Sequence, residues 1–428
     1  MTHWIEAGAV PDLLQGGMTV FIAGITAEPA EILQALAECG DKAAGVRFIT
    51  VSVPGTNCFD FASLHPQAMT TVFFATPENR KSVAAGKVDF IPLQYRAIYD
   101  YLENDLPIDM AIAQLPPINK VATVSYGVSL DFLPAVLDKA KIVVGEMNAR
   151  QPVAGNAPHF PASRLTYAVA CDRPIKRVAD APITDTVREI GRHVAELVSD
   201  GDCIQIGIGA IPAAVLSALA EKNDLGFHSG MITGSVMQLI QSGNVNGVKK
   251  NIDNGKAVAG VTLGDEKLVN WAGTAAAVSF RPVNYTHDIC TIRNIDNFVS
   301  INSALEIDLF GQVNSDMLHG CQVSGTGGAI EMMRAAALSK GGRSIVALNA
   351  TAEQGKVSRI VPRLAATTAT TALRTDVDYV VTEYGARRIR HLPLSARLEA
   401  LIEIAHPDFR DWLREEWQTP SPATTAGR

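Results

Sequence analysis

The chain has no C-x-x-C pair, no uninterrupted apolar run near the roughly 18 residues of a membrane span, and no basic excess. Its six cysteines, at 39, 58, 171, 203, 290 and 321, are scattered, which argues against a disulfide framework or a zinc site and for reduced core thiols. Even Cys58, in the turn-like VPGTNCFDF, reads first as a partly buried thiol. A net charge of -7 argues against a nucleic-acid binder, which would normally show a basic face, and the longest basic cluster, Arg387, Arg388, Arg390 and His391, reads first as a solvated helix face and only secondarily as a phosphate contact. The start, MTHWIEAGAV, lacks the basic-then-apolar order of a secretory leader, so a cytoplasmic protein is expected. No metal, bound cofactor, nucleic acid or membrane partner is expected.

What is present is an ordinary globular composition, 47% apolar and 19% charged, over 428 residues, enough for two or three domains. Residues 24–38, GITAEPAEILQALAE, and 207–221, GIGAIPAAVLSALAE, agree at ten of fifteen positions at a constant offset of 183. Each copy reads as a strand, a Gly-containing turn and a helix with proline near its start, where a missing N–H costs nothing. A repeat this distant implies two stacked α/β domains and not a solenoid, whose period is roughly 20–50 residues. Apolar strands alternate with amphipathic segments in both halves: RFITVSV, TVFFA, DFIPL, DMAIAQL and KIVVGEM in the first, AVAGVTL, FVSINSALEIDL, SIVALN and YVVTEYG in the second. That alternation favours open, mostly parallel sheets covered by helices. The expected units are residues 1–175 and 183–417, divided near the Pro- and charge-rich 172–184, with 418–428 a flexible tail.

Two glycine clusters carry the chemistry. In GIGAIP, Gly207 and Gly209 sit where a strand meets a helix, so backbone N–H groups can approach a ligand; taken alone, the pattern equally fits tight strand–helix packing. SGTGGAIEMMRAA, residues 324–336, has three glycines in its first five residues, leaving amides unobstructed in a manner that suits an oxyanion hole.

The segment 201–231, GDCIQIGIGAIPAAVLSALAEKNDLGFHSGM, closely resembles the central motif of the acetyl-CoA hydrolase/transferase family, the single-chain butyrate-type and 4-hydroxybutyrate CoA-transferases. The resemblance runs from AEP at 27–29 to IAHPDFR at 404–410. It implies tandem duplicated open α/β domains of CoA-transferase type and coenzyme A esters as substrates. It also implies CoA binding by Ile206, Gly207, Ile208, Gly209 and Ala210, with Ser324 near the CoA and Gly328 as oxyanion donor. In SINSALEIDLFGQV, Asn302 is implied to donate to the acyl oxygen or hold a carboxylate. In VVTEYG, Glu383 resembles a second active-site carboxylate that is not the nucleophile, here a candidate general base.

The departures are as informative. The family's loop reads H-[ST]-E-[MV], with a glutamate that attacks the thioester; here it is His228, Ser229, Gly230 and Met231. Glycine supplies no nucleophile, so the covalent glutamyl-CoA route cannot run through residue 230. Ala329 and Glu331 replace the family's polar residue and aspartate. Glu353 stands where relatives often carry a phosphate-reaching lysine, a role left to Lys356. Neighbours in an extended segment point to opposite faces, so Ser229 and His228 do not form a pair; Ser229, Glu28 and Glu146 are minor candidates for a relocated nucleophile. The reading is an enzyme acting on an acyl-CoA thioester by hydrolysis, direct acyl transfer or another reaction on the CoA ester. Its alternatives are a conventional CoA-transferase using another carboxylate and an inactive acyl-CoA-binding homologue. A homodimer or larger homo-oligomer is expected.

Overall fold

Most of the apolar runs form strands of two open sheets. The computed structural model describes residues 2–53, 55–178 and 182–418; most of the expected tail, 419–428, lies outside them. The first sheet is wholly parallel, in the order His3–Trp4, Tyr167–Cys171, Ile142–Asn148, Met110–Leu115, Thr19–Ile22, Arg47–Thr50, Met69–Val72, Val88–Phe90. The second runs Gly226–Phe227, Cys203–Ile206, Phe298–Ser303, Arg343–Ala347, Tyr379–Thr382, Gly385–Arg388, antiparallel only at its last pair. Buried side chains of both sheets, such as Phe21, Ile49 and Ala111 with Ile204, Val299 and Ile345, belong to one continuous core.

The strand order fixes where a ligand can bind. In the first sheet the chain leaves Thr19–Ile22 in one direction and later returns on its other side at Met110–Leu115. In the second it leaves Cys203–Ile206 toward Gly226–Phe227 and returns on the other side at Phe298–Ser303. The carboxyl ends of strands at such a reversal diverge and open a crevice. Gly24 and Gly207, equivalent in the repeat, follow the pivotal strands.

The two copies differ in their turns. Ile25 has φ 53, a costly conformation for a β-branched residue, and is buried with Val261 and Leu263. In the second copy the left-handed position falls one residue later, on Gly209 (φ 114), and Ile208 stays 39% exposed. The helices differ as well: Ala30–Glu38 starts after Pro29, whereas Ala210–Ala218 holds Pro212 in its first turn. The second helix packs closely on Asp185–Glu196, where a Cβ on Gly191 would lie 2.8 Å from the Ala214 carbonyl.

Three expectations need correction. AVAGVTL is not one strand: Ala257–Ala259 and Val261–Thr262 pair separately, because the Gly260 N–H between them donates to the Gly230 carbonyl at 2.8 Å. Arg387 and Arg388 lie on the edge strand Gly385–Arg388 and not on a helix, paired with Glu403 and Asp378. Of the free cysteines only Cys171 and Cys203 are buried; the other four are exposed.

Glu146, on the strand Ile142–Asn148, is buried and accepts from the Ile32 N–H at 2.9 Å. Burial pushes its carboxyl up to about 7, against opposing help from that N–H. The native state therefore holds this proton over a pH range where the unfolded chain has lost it, and the group's contribution to stability falls as pH rises from about 4.5 to 7. Glu146→Gln should stabilise the fold relative to wild type more at pH 8 than at pH 5, by on the order of 2 kcal/mol in urea unfolding. Equal differences at both pH values would contradict this.

Candidate functional site

At the crevice of the second sheet, Gly207, Ile208, Gly209, Pro212, Thr233 and Leu263 line a cavity of about 320 Å³. Ile206 is buried at the strand's end and Ala210 opens the helix, so Gly207–Gly209 form the exposed turn between them. Asn302, across the crevice, is engaged: its Nδ2 donates to Gln205 Oε1 (3.1 Å) and Ser300 Oγ (2.9 Å), and its Oδ1 accepts from Gln205 Nε2 (3.3 Å). Asn302 Oδ1 lies 4.0 Å from a Cβ built on Gly207, which puts the side chain at the edge of the glycine turn.

Residues 228–230 approach from the next loop. His228 Nε2 pairs with the Thr286 carbonyl at 3.2 Å, while Ser229 Oγ donates to the Ile206 carbonyl at 3.2 Å, so the two side chains serve different partners. The Gly230 carbonyl accepts from Gly260 and Val261. Gly230 lies outside the left-handed region, so its backbone does not demand glycine. Space does: an added Cβ would lie 2.7 Å from Cε1 and 3.1 Å from Nε2 of His287.

The glycine loop 324–328 is stitched to the first half of the chain. Ala75 N–H donates to the Ser324 carbonyl, Tyr95 N–H to the Gly327 carbonyl, and Thr326 Oγ1 to the Leu93 carbonyl at 2.9 Å. Glu331, buried one turn into the helix Ala329–Leu338, accepts from the Arg96 N–H at 2.9 Å, and burial raises its carboxyl to about 7. Gly328 caps that helix without a side chain, leaving first-turn amides with no intrahelical acceptor. A Cβ on Gly328 would lie 2.2 Å from Cδ2 and 2.5 Å from Nε2 of the same His287.

His287 thus joins Gly230 to Gly328, a connection absent from the sequence reading. It is buried, its Nδ1 lies 2.9 Å from Thr286 Oγ1, and its ring centre is 4.6 Å from that of Tyr95. Burial, then His228, lowers its pKa to about 3, so the ring is neutral. Tyr95 donates its hydroxyl to Asp131 Oδ2 at 2.8 Å, and burial raises Asp131 to about 7 against that hydrogen bond. The other oxygen, Asp131 Oδ1, has no hydrogen-bond partner and lies 2.4 Å from where Gly260 would carry a Cβ. No sequence motif marks His287, Tyr95 or Asp131, which come from three separate loops and helices.

The remaining candidates lie elsewhere. Glu383 Oε2 accepts from the Ala350 N–H at 2.8 Å, and Glu383 lines a second cavity of about 530 Å³ with Arg359, Tyr384 and His406. Lys356 is exposed and follows Glu353–Gly355 on that pocket's wall. Glu28 is held by Lys176 at 2.6 Å and by Asn57 at 2.5 Å. Among the described residues no group of three or more His, Cys, Asp or Glu converges to hold a metal, and no helix is long and apolar enough to cross a membrane.

Comparison with known proteins places this geometry. Residues 3–175 match the acetyl-CoA hydrolase/transferase N-terminal domain and residues 264–417 the C-terminal domain of the same family. The chain is 35% identical over 400 residues to the 4-hydroxybutyrate coenzyme A transferase of Clostridium kluyveri, covering 93% of each. Its structure is similar to that of RipA from Yersinia pestis, with a TM-score of 0.90 at 30% identity over 96% of each chain. It is also similar to a 4-hydroxybutyrate CoA-transferase from Porphyromonas gingivalis, with a TM-score of 0.81 at 33% identity over 97% of each. With both domains of the family matched and a relative 35% identical over 93% of each chain, the chain belongs to the acetyl-CoA hydrolase/transferase family.

Proposed function

We propose that this protein acts on the thioester of an acyl-CoA without forming a glutamyl-CoA intermediate. The observation that carries the reading is the surroundings of Gly230. The residue has no side chain, and the place where one would begin is taken by the His287 ring. The H-S-G-M sequence resembles the family's H-[ST]-E-[MV] loop, and the resemblance implies that Gly230 stands where that loop has its attacking glutamate. The pocket at Gly207–Gly209 fits the CoA-binding role that the resemblance implies for Ile206–Ala210. The amides at Gly328 remain the candidate donors to the thioester carbonyl, where charge develops as it is attacked. Ser324 belongs to the same loop, and Glu383 and Lys356 would serve a more distant part of the CoA ester.

Two experiments test this. Wild-type protein incubated with acetyl-CoA, butyryl-CoA or succinyl-CoA and then treated with borohydride should show no reduced glutamyl adduct by mass spectrometry; an adduct overturns the reading. Gly230→Glu alone should gain little exchange onto labelled acetate, because the new Cβ meets His287. Gly230→Glu combined with His287→Gly makes room and should gain measurable exchange.

Gly328→Ala should lower turnover of the same acyl-CoAs by about 10²–10³-fold, because the added methyl displaces the His287 ring and disturbs the loop's amides. A folded Gly328→Ala protein with unchanged turnover removes Gly328 from the mechanism.

A further inference from the structure

Three glycines in this region lack a Cβ for the same physical reason. Gly230 and Gly328 make room for His287, and Gly260 makes room for Asp131. These contacts come from separate segments, and each would be a clash with alanine in place. Backbone closeness of this kind aims the imidazole with little freedom. Residue 328 lies off its Cδ2–Nε2 edge and residue 230 off its Cε1–Nε2 edge, so Nε2 points into the gap between the two loops.

His287 Nδ1 lies 2.9 Å from Thr286 Oγ1, a pair in which either atom can donate; in the tautomer with the proton on Nδ1 the hydroxyl oxygen accepts it, leaving its own hydrogen to face the Pro282 carbonyl at 3.4 Å. In that tautomer Nε2 carries a lone pair directed at the gap between the two loops. Thr286 is itself fixed through its carbonyl by His228 Nε2. Burial lowers the ring's basicity and keeps it neutral; what suits it to the place of a general base is its geometry, with a ring nitrogen facing the gap where the thioester would sit.

We propose that His287 is the catalytic base of this site and that the reaction it supports is hydrolysis of the acyl-CoA thioester. The inference rests on the reading of Gly230 given above. Nε2 takes a proton from a water molecule as the water oxygen bonds to the thioester carbonyl carbon, with Gly328 amides facing the developing oxyanion. The tetrahedral species collapses by breaking the C–S bond, and the imidazolium returns its proton to the departing sulfur. One acyl-CoA and one water give one carboxylic acid and one free CoA thiol, with no redox change. The His287 ring packs with its centre 4.6 Å from that of Tyr95, tilted by 44°, and the Tyr95 hydroxyl is held by Asp131. Tyr95 and Asp131 are therefore positioning residues that fix where the imidazole sits.

The test measures thiol release from acetyl-CoA, butyryl-CoA and succinyl-CoA by wild type, His287→Ala and His287→Gln. Wild type should hydrolyse at least one of them. Both variants should lose roughly 10²–10⁴-fold in kcat, with KM changed by only a few-fold. Imidazole and its methyl derivatives, added to His287→Ala, should restore rate in order of their basicity, a dependence that mere filling of a cavity does not produce. His287→Gln keeps most of the ring's volume, so it answers the question if the alanine variant does not fold. Wild-type inactivity toward all three esters, kcat within about threefold of wild type in a folded variant, rescue that ignores basicity, or an acyl group trapped on His287 would each overturn the proposal. None of these outcomes requires a glutamyl adduct. Detection of that adduct in wild type is a separate result, and it alone would overturn the underlying reading.

Discussion

The close contact of one imidazole with two glycines governs how this site is built. His287 lies in the volume that side chains at 230 and 328 would need, and both loops can approach it only because neither carries a Cβ. The loop at 230 is anchored by Gly260, and the loop at 328 is anchored to the first half of the chain through residues 73–75 and 93–96. Displacing the ring would disturb both anchors, since tightly packed interiors transmit strain and do not absorb it locally. The ring's own position depends in turn on Thr286, Tyr95 and, through Tyr95, Asp131.

Burial then sets the electrostatics. The same exclusion of water that keeps His287 neutral keeps a proton on Asp131 up to about pH 7 and pushes Glu331 up as well. These groups lie at the seam between the two sheets, where charge is costly without a partner. A reaction that creates transient charge there therefore depends on fixed dipoles, which need no reorganisation as the charge appears.

Much of the architecture was legible in the chain. Alternation of apolar runs with amphipathic segments yielded two mainly parallel sheets, and the 183-residue repeat located both pivotal turns, Gly24 and Gly207. The repeat could not reveal that the copies use their turns differently, because the divergence lies in backbone angles at Ile25 and Gly209 and in burial against a distant strand. AVAGVTL looked continuous because apolar composition does not report that Gly260 is drawn away to pair with Gly230. Glycine motifs drew attention to 207–209 and 324–328, yet sequence could not say that Gly328 makes room for His287. His287, Tyr95 and Asp131 are separated by up to 192 positions and share no spacing, so only folding brings them together. Asn302 was singled out from its motif, but sequence could not show that it is tied to Gln205 and Ser300.

The central claim is that the thioester is attacked at Gly230 by something other than a protein carboxylate. A crystal structure with a non-hydrolysable thioether analogue of an acyl-CoA measures this directly. The account predicts the carbonyl carbon in the gap between Gly230 and Gly328, near His287 Nε2, with no carboxylate oxygen of the protein within about 3.5 Å, the reach of an attacking atom. A carbonyl carbon seated at that distance from the carboxylate of Glu28, Asp131 or Glu383 would contradict it.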